Sequence, residues 1–113
     1  MRFSQQAAQA LTSLVGMKYA RMNCWRVVQF AYNVQGVKLP DYWSALSLFR
    51  TLGPTEERQP FDVAVIRNHS IVTNHVGLYL GDGQILHSME DTGVVCQPLS
   101  RIERVVGFLR LHT

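Results

Sequence analysis

Apolar residues near the start of the chain recur at helical spacing. Ala7, Ala8, Leu11, Leu14 and Val15 fall on one face of a helix predicted over residues 4–15, with Ser4 as its N-cap and Gly16 as its stop. The same spacing returns over residues 24–35. There Val27, Val28, Ala31 and Val34 form a stripe, and Gly36 supplies a left-handed C-terminal cap. The segment "GVKLP" then extends the chain to a turn at Pro40, and "WSALSLFRTL" at 43–52 predicts a third short helix closed by Gly53-Pro54. Beyond "GPTEERQP" the period changes to two. Strands are predicted at 61–67, 75–80, 84–89, 94–99 and 105–112. Helices first and strands afterwards is the α+β pattern: N-terminal helices packed on a central antiparallel sheet of about five strands. Hairpin-length connections between the later strands favour antiparallel pairing.

Composition bounds this picture. A chain of 113 residues with 47% apolar and 17% charged residues reads as one globular domain spanning 1–113. That is long enough to build a core without disulfides or metals. No apolar run approaches the ~20 residues of a membrane span. Glutamines interrupt the N-terminal stretch where a signal peptide needs continuous apolar residues, so export by the general secretory route is not expected. The net charge of +3 favours polyanionic partners such as acidic cell-wall polymers. The basic residues are scattered rather than clustered, which speaks against nucleic acid.

Two cysteines, Cys24 and Cys96, match no CxxC spacing. Cys24 stands where the second helix begins, after a polar Asn. Unpaired N–H groups at a helix start stabilise a thiolate, so a lowered pKa and a nucleophilic role are expected there. The plain alternative is a small apolar residue continuing the stripe of Val27, Val28 and Ala31. Cys96, in "GVVCQPL", reads as core or near-core packing.

The stretch "NHVGLYLGDGQILHS" reads as a hairpin with a histidine near each end. A two-residue loop at Asp82-Gly83 sets Gly81 opposite Gln84 and puts His75 and His87 on opposite faces. A three-residue loop, Gly81-Asp82-Gly83, sets Gly77 opposite His87. The two rings then form a diagonal pair on one face, about 7–8 Å apart at the backbone, with open space at Gly77. Register decides whether they cooperate. If they do, Cys24 attacks a carbonyl, one imidazole takes its proton and the other orients the first. Spacing alone does not say which is which. A zinc site from Cys24, His75, His87 and His69 lacks any close ligand pair such as H-x₃-H to pre-form it. Trp43 and Phe49 read as core rather than a sugar-stacking platform, and Asp82 as a turn residue.

A helix-start Cys followed about fifty residues later by "HVGLYLGDGQILH" resembles the NlpC/P60-type cell-wall cysteine peptidases, which are papain-like in fold. That family shows an Asp-Cys pair opening a helix, a "G-x-LP" segment closing it, a Gly-Asp strand, and a "HVGIYLG" hairpin ending in "IHA". Here the counterparts are "NC" at 23–24, "GVKLP" at 36–40, "FDVAV" at 61–65 and the hairpin at 75–88. The resemblance implies Cys24 as nucleophile, His75 as general base and His87 as the third polar residue orienting it. Backbone N–H groups near Cys24 would stabilise the oxyanion. It implies hydrolysis of peptide bonds in peptidoglycan stem peptides, often between D-glutamate and the diamino acid, with no metal or organic cofactor.

Three departures bear on the substrate surface. Asn23 replaces the usual Asp but keeps a polar cap. Trp25-Arg26 replaces a small Ser-Gly pair, placing a large ring and a cation at the site rim. Tyr19 stands in for the family's upstream Tyr, which normally sits farther before the Cys. "NCWRVVQFAYNVQGVKLPDY" is most similar to versions found in bacteriophage tail proteins. That implies other tail proteins as partners, and either a virion-associated location or synthesis in the cytoplasm followed by delivery to the wall. Two alternatives remain open: an acyltransferase or thioesterase using the same Cys-His-His site, or a catalytically decayed structural tail module.

Overall fold

A computed structural model describes residues 5–39, 52–55, 58–67, 74–102 and 105–111. Among the described residues two helices precede six strands: α1 (Gln5–Thr12), α2 (Cys24–Asn33), β1 (Leu52–Thr55), β2 (Val63–Arg67), β3 (Asn74–Gly81), β4 (Gln84–Met89), β5 (Gly93–Pro98) and β6 (Val105–Leu111), with a 3₁₀ turn at Leu99–Arg101. The strands form one sheet in the order β1-β6-β2-β3-β4-β5, and every pairing is antiparallel. The α+β architecture is as expected. The expected count of about five strands gains a short edge strand, β1, which pairs with β6 where the sequence suggested a helix stop. Pro54 is tolerated there because an edge strand leaves one row of backbone groups unpaired. The third predicted helix, with Trp43 and Phe49, lies outside the described residues apart from its last position, Leu52, which belongs to β1.

α2 begins at Cys24 because Asn23, in extended backbone, accepts a hydrogen bond from the Arg26 N–H at 3.0 Å. It ends at Asn33, and a turn follows to Gly36 in the left-handed region (φ +82), with the Val37 N–H reaching back to the Tyr32 carbonyl. Its buried face, Cys24, Trp25, Val27, Val28, Ala31 and Tyr32, packs with Leu11 and Leu14 against Val63, Val76, Leu78, Leu86, Val94 and Leu109. Each fully buried aliphatic side chain there contributes roughly 1.5–3 kcal/mol. Two residues expected on these stripes are exposed: Val15, because α1 stops at Thr12, and Val34, which caps α2. The opposite sheet face carries a smaller cluster of Ala64, Ile66, Tyr79 and Ile85, flanked by Leu99, Ile102, Val105 and Phe108.

After α1 the chain joins the outer edge of β5. The Gly16 N–H bonds the Val94 carbonyl and the Val94 N–H bonds the Met17 carbonyl, both at 2.9 Å. This staple directs residues 17–23 past the sheet into α2. Gly93 makes it possible: its φ is +74, and a Cβ there would collide with the Met17 carbonyl. Between β2 and β6, Asp62 is 2% exposed and receives two parallel bonds from Arg110, at 2.9 and 2.8 Å, plus the Gln59 N–H at 2.7 Å. Phe61 beside it adopts φ +75 and is held by the Tyr79 carbonyl on its N–H and the Tyr32 hydroxyl on its carbonyl.

Ser88 is fully buried on the α2 side, and its hydroxyl has no partner among the described residues. Removing an unsatisfied hydroxyl recovers its desolvation cost, so Ser88→Ala is expected to leave stability unchanged or raise it by about 1 kcal/mol. Urea unfolding measures this directly.

Candidate active site

The hairpin register is a composite of the two alternatives posed by the sequence. Asp82 and Gly83 both have positive φ (52 and 74), which makes a two-residue turn with Gly81 opposite Gln84. A register shift then follows between Tyr79 and Gly81, where Gly81 (φ +96) absorbs one extra residue. Beyond it, Tyr79 faces Ile85 and Leu78 faces Leu86. The tight turn alone would have separated the histidines. The bulge puts them on one face.

His75 Nε2 lies 2.8 Å from His87 Nδ1, and the rings meet edge to face with centroids 5.1 Å apart. His87 is 4% exposed, and its Nε2 lies 2.8 Å from Gln97 Oε1 on β5. Gln97 was not singled out from the sequence. The signal was there: with Met89 opposite Gly93, Gln97 is diagonal to His87 on the same face. Gly77 does not provide open space between the rings as expected. A Cβ there would lie 2.7 Å from Ile85 Cγ2 and 3.1 Å from His87 Cβ, so the glycine instead lets β4 approach closely enough to seat His87.

Cys24 is the first residue of α2, and its side chain also belongs to the apolar cluster under the helix. The residue thus stands at the helix start and also continues the apolar stripe. Its sulfur faces the backbone N–H groups of Val76, Trp25 and Cys24 itself. Val76 immediately follows His75, so the thiol sits near the strand end from which that imidazole projects. Among the described residues the thiol makes no hydrogen bond to either imidazole.

The expected lowering of the Cys24 pKa is corrected. Burial pushes the thiol up, and the three amide donors only partly oppose it. Burial, and then the nearby His87, push His75 down to about 4; burial also lowers His87, opposed by its bond to Gln97. At neutral pH the site therefore rests as a neutral thiol beside neutral imidazoles. This fixes a sign. An unfolded histidine titrates near 6.5. Between there and about 4 the unfolded chain binds more protons, so His75 contributes stability above pH 6.5 that is lost as the pH falls through that window. Urea midpoints between pH 7 and 4 should fall more steeply in the wild type than in His75→Gln.

The remaining residues divide. Tyr19 is half-buried, and burial, then the neighbouring Cys24 and Glu90 charges, raise its phenol pKa; it stands beside the thiol. Asn23 is spent on capping α2. Trp25, expected at the rim, is instead 5% exposed and packs in the core, because it shares a helical face with Val28 and Tyr32. Arg26 is exposed, bonds the Arg21 carbonyl, and lines an open cleft of about 310 Å³ with Gln29, Asn33 and Lys38. Cys96 is corrected from core to exposed: it lies on the edge strand, with its sulfur 3.7 Å from Gln84 Oε1. His69 lies outside the described residues. Among the described residues there is no cluster of three or more His, Cys, Asp or Glu side chains able to hold a metal, and no helix long and apolar enough to cross a membrane.

Comparison with known proteins places this geometry. The profile of the NlpC/P60 family matches residues 13–106. Tail tip assembly protein K of Escherichia phage lambda is 28% identical over 86 residues, covering 61% of this chain and 42% of that protein. Among solved structures, a lipoprotein-like NLP/P60 protein of Staphylococcus aureus superposes with a TM-score of 0.74 at 20% identity, covering 100% of this chain and 44% of that one. The P60 domain of a Mycobacterium avium subspecies paratuberculosis antigen gives 0.68 at 20% identity, covering 92% and 90%. The NlpC/p60 domain of the peptidoglycan hydrolase SagA gives 0.68 at 15%, covering 94% and 96%. The chain thus spans less than half of the lambda and S. aureus proteins and nearly all of the two isolated domains. With its cysteine at a helix start and its paired histidines on the adjoining hairpin, this chain belongs to the NlpC/P60 family.

Proposed function

We propose that this chain is a thiol hydrolase, a cysteine endopeptidase or amidase, that cleaves peptide bonds of peptidoglycan stem peptides. Cys24 is the nucleophile, His75 the general base and His87 the residue that orients it. The observation that carries this reading is the 2.8 Å contact between His75 and His87 at the strand end adjoining a helix-start thiol, in a chain of the NlpC/P60 family. As the sulfur attacks the scissile carbonyl, its proton passes to His75 and the Sγ–C bond forms. Collapse of the tetrahedral intermediate breaks the C–N bond, and His75 returns that proton to the leaving amine. Water then hydrolyses the thioester, regenerating Cys24. The amides of Cys24 and Trp25, at the positive end of α2, are the donors placed to hold the oxyanion. Tyr19 and Arg26 are the candidate substrate contacts.

A neutral resting thiol makes this a base-assisted attack rather than reaction of a preformed thiolate. The acid limb of kcat/KM is accordingly expected near pH 4, well below the ordinary histidine range. Similarity to the lambda tail tip protein supports a place in a phage tail, where such an activity would help open the wall. Purified sacculi incubated with the protein should gain free amino groups on their stem peptides, and none would appear if the reading is wrong. Hydroxylamine added to the same digest would yield hydroxamates in place of acids if acyl transfer outpaces hydrolysis. The burial of Cys24, and a thiol that makes no hydrogen bond to either imidazole among the described residues, favour a decayed structural module; that reading expects intact sacculi at every pH.

A further inference from the structure

The hydrogen-bonded chain continues past the second imidazole. His75, His87 and Gln97 lie on three successive strands and share one face of the sheet, and the two links between them are both 2.8 Å. An amide oxygen accepts and cannot donate, and a neutral imidazole carries a single N–H. With Gln97 Oε1 accepting, His87 carries its hydrogen on Nε2 and presents a bare Nδ1 to His75. A bare nitrogen requires a donor opposite, so His75 carries its hydrogen on Nε2. Its Nδ1 is then the one free base in the chain.

Turning the Gln97 amide end for end reverses every bond and leaves the hydrogen on His75 Nδ1, where no proton can be accepted. Only the first sense survives the chemistry. When the Sγ–H bond breaks and the proton binds His75 Nδ1, the ring keeps its Nε2–H pointing at His87. In the reversed sense, protonation would set two N–H groups against each other.

We propose that Gln97 is a positioning residue whose side-chain oxygen sets the tautomer of both histidines and so leaves His75 Nδ1 unprotonated. The role, and the choice between the two senses of the amide, rest on His75 acting as the base.

The test is a long-range ¹H–¹⁵N correlation spectrum of the imidazoles of the whole chain at pH 7, which reports each tautomer without substrate. The wild type should show Nε2–H on both His75 and His87. Gln97→Glu keeps an acceptor and should keep both tautomers and most of the hydrolysis. Gln97→Met should give mixed tautomers and a kcat lower by at least about tenfold at unchanged KM, the wrong-tautomer penalty. His75 carrying Nδ1–H in the wild type overturns the proposal. So do unchanged tautomers in a folded Gln97→Met protein. If that variant does not fold, the wild-type spectrum decides. A protein with both Nε2–H tautomers and no hydrolysis sinks the hydrolase reading alone; an active one with His75 Nδ1–H sinks this one alone.

Discussion

Replacing Cys24 with alanine is expected to lower stem-peptide hydrolysis by at least about a thousandfold while leaving the fold intact. Removing the nucleophile of a covalent mechanism leaves only binding and oxyanion stabilisation. The side chain is small and buried at the start of α2, so losing one sulfur costs stability only about 1 kcal/mol. The cap that starts the helix belongs to Asn23 and is untouched. His75→Ala should cost nearly as much activity, because the buried thiol does not ionise unaided at neutral pH. His87→Ala should cost less, since it removes orientation rather than the base. Release of free amines from sacculi gives the rates, and circular dichroism checks the fold. Equal rates for Cys24→Ala and the wild type would exclude Cys24 as the nucleophile.

Arg110→Leu is expected to lower stability by about 3–5 kcal/mol, a large part of the 5–15 kcal/mol typical of a domain. The asymmetry of the ion pair sets the size. The Asp62 side chain is 2% exposed and the Arg110 side chain 35%. Losing the arginine strands a buried carboxylate that keeps the Gln59 N–H as a donor. Asp62→Asn leaves a cation that can still reach water, and should cost only about 1–3 kcal/mol. The two urea midpoints should therefore differ, with Arg110→Leu lower. Arg110 lies on β6, across β2 from the histidine strands, and Asp62 precedes β2 at the end opposite Ile66, the residue paired with His75, so hydrolysis per folded molecule should be nearly unchanged in either variant.

What the sequence revealed follows from how local each signal is. β4 is found with its predicted ends because alternation and a Gly-rich turn bound it within a few residues. α2 starts where Asn23 offers a cap, a short-range feature, but ends at Asn33 with Val34 as its cap, and Gly36 with positive φ closes the turn that follows. The pairing of His75 with His87 was left open by the sequence because it depends on a bulge at Gly81, and turn length alone gives either parity. β1 was missed since Leu52-Gly53-Pro54-Thr55 has little strand propensity of its own; pairing with β6 makes it a strand. The upward shift at Cys24 was illegible for a similar reason. The helix start is written in the sequence, but the depth of burial depends on β-strand residues far along the chain. Phe61 occupies the place of the glycine in the family's Gly-Asp strand. It holds a left-handed backbone, at a cost of order 1–3 kcal/mol that its packing against Tyr32 and its backbone bonds must offset.

The most direct measurement uses the contrast between the two thiols, one buried at the helix tip and one exposed on an edge strand. A stem peptide ending in a carbon electrophile is incubated with the protein at neutral pH, and the modified residue is found by peptide mapping. If the buried sulfur and the adjoining imidazoles form a working site, the adduct forms on Cys24 ahead of Cys96, and His75→Ala slows it by at least about a hundredfold. Labelling confined to Cys96, or labelling of Cys24 at the same rate with and without the His75 imidazole, would contradict the account.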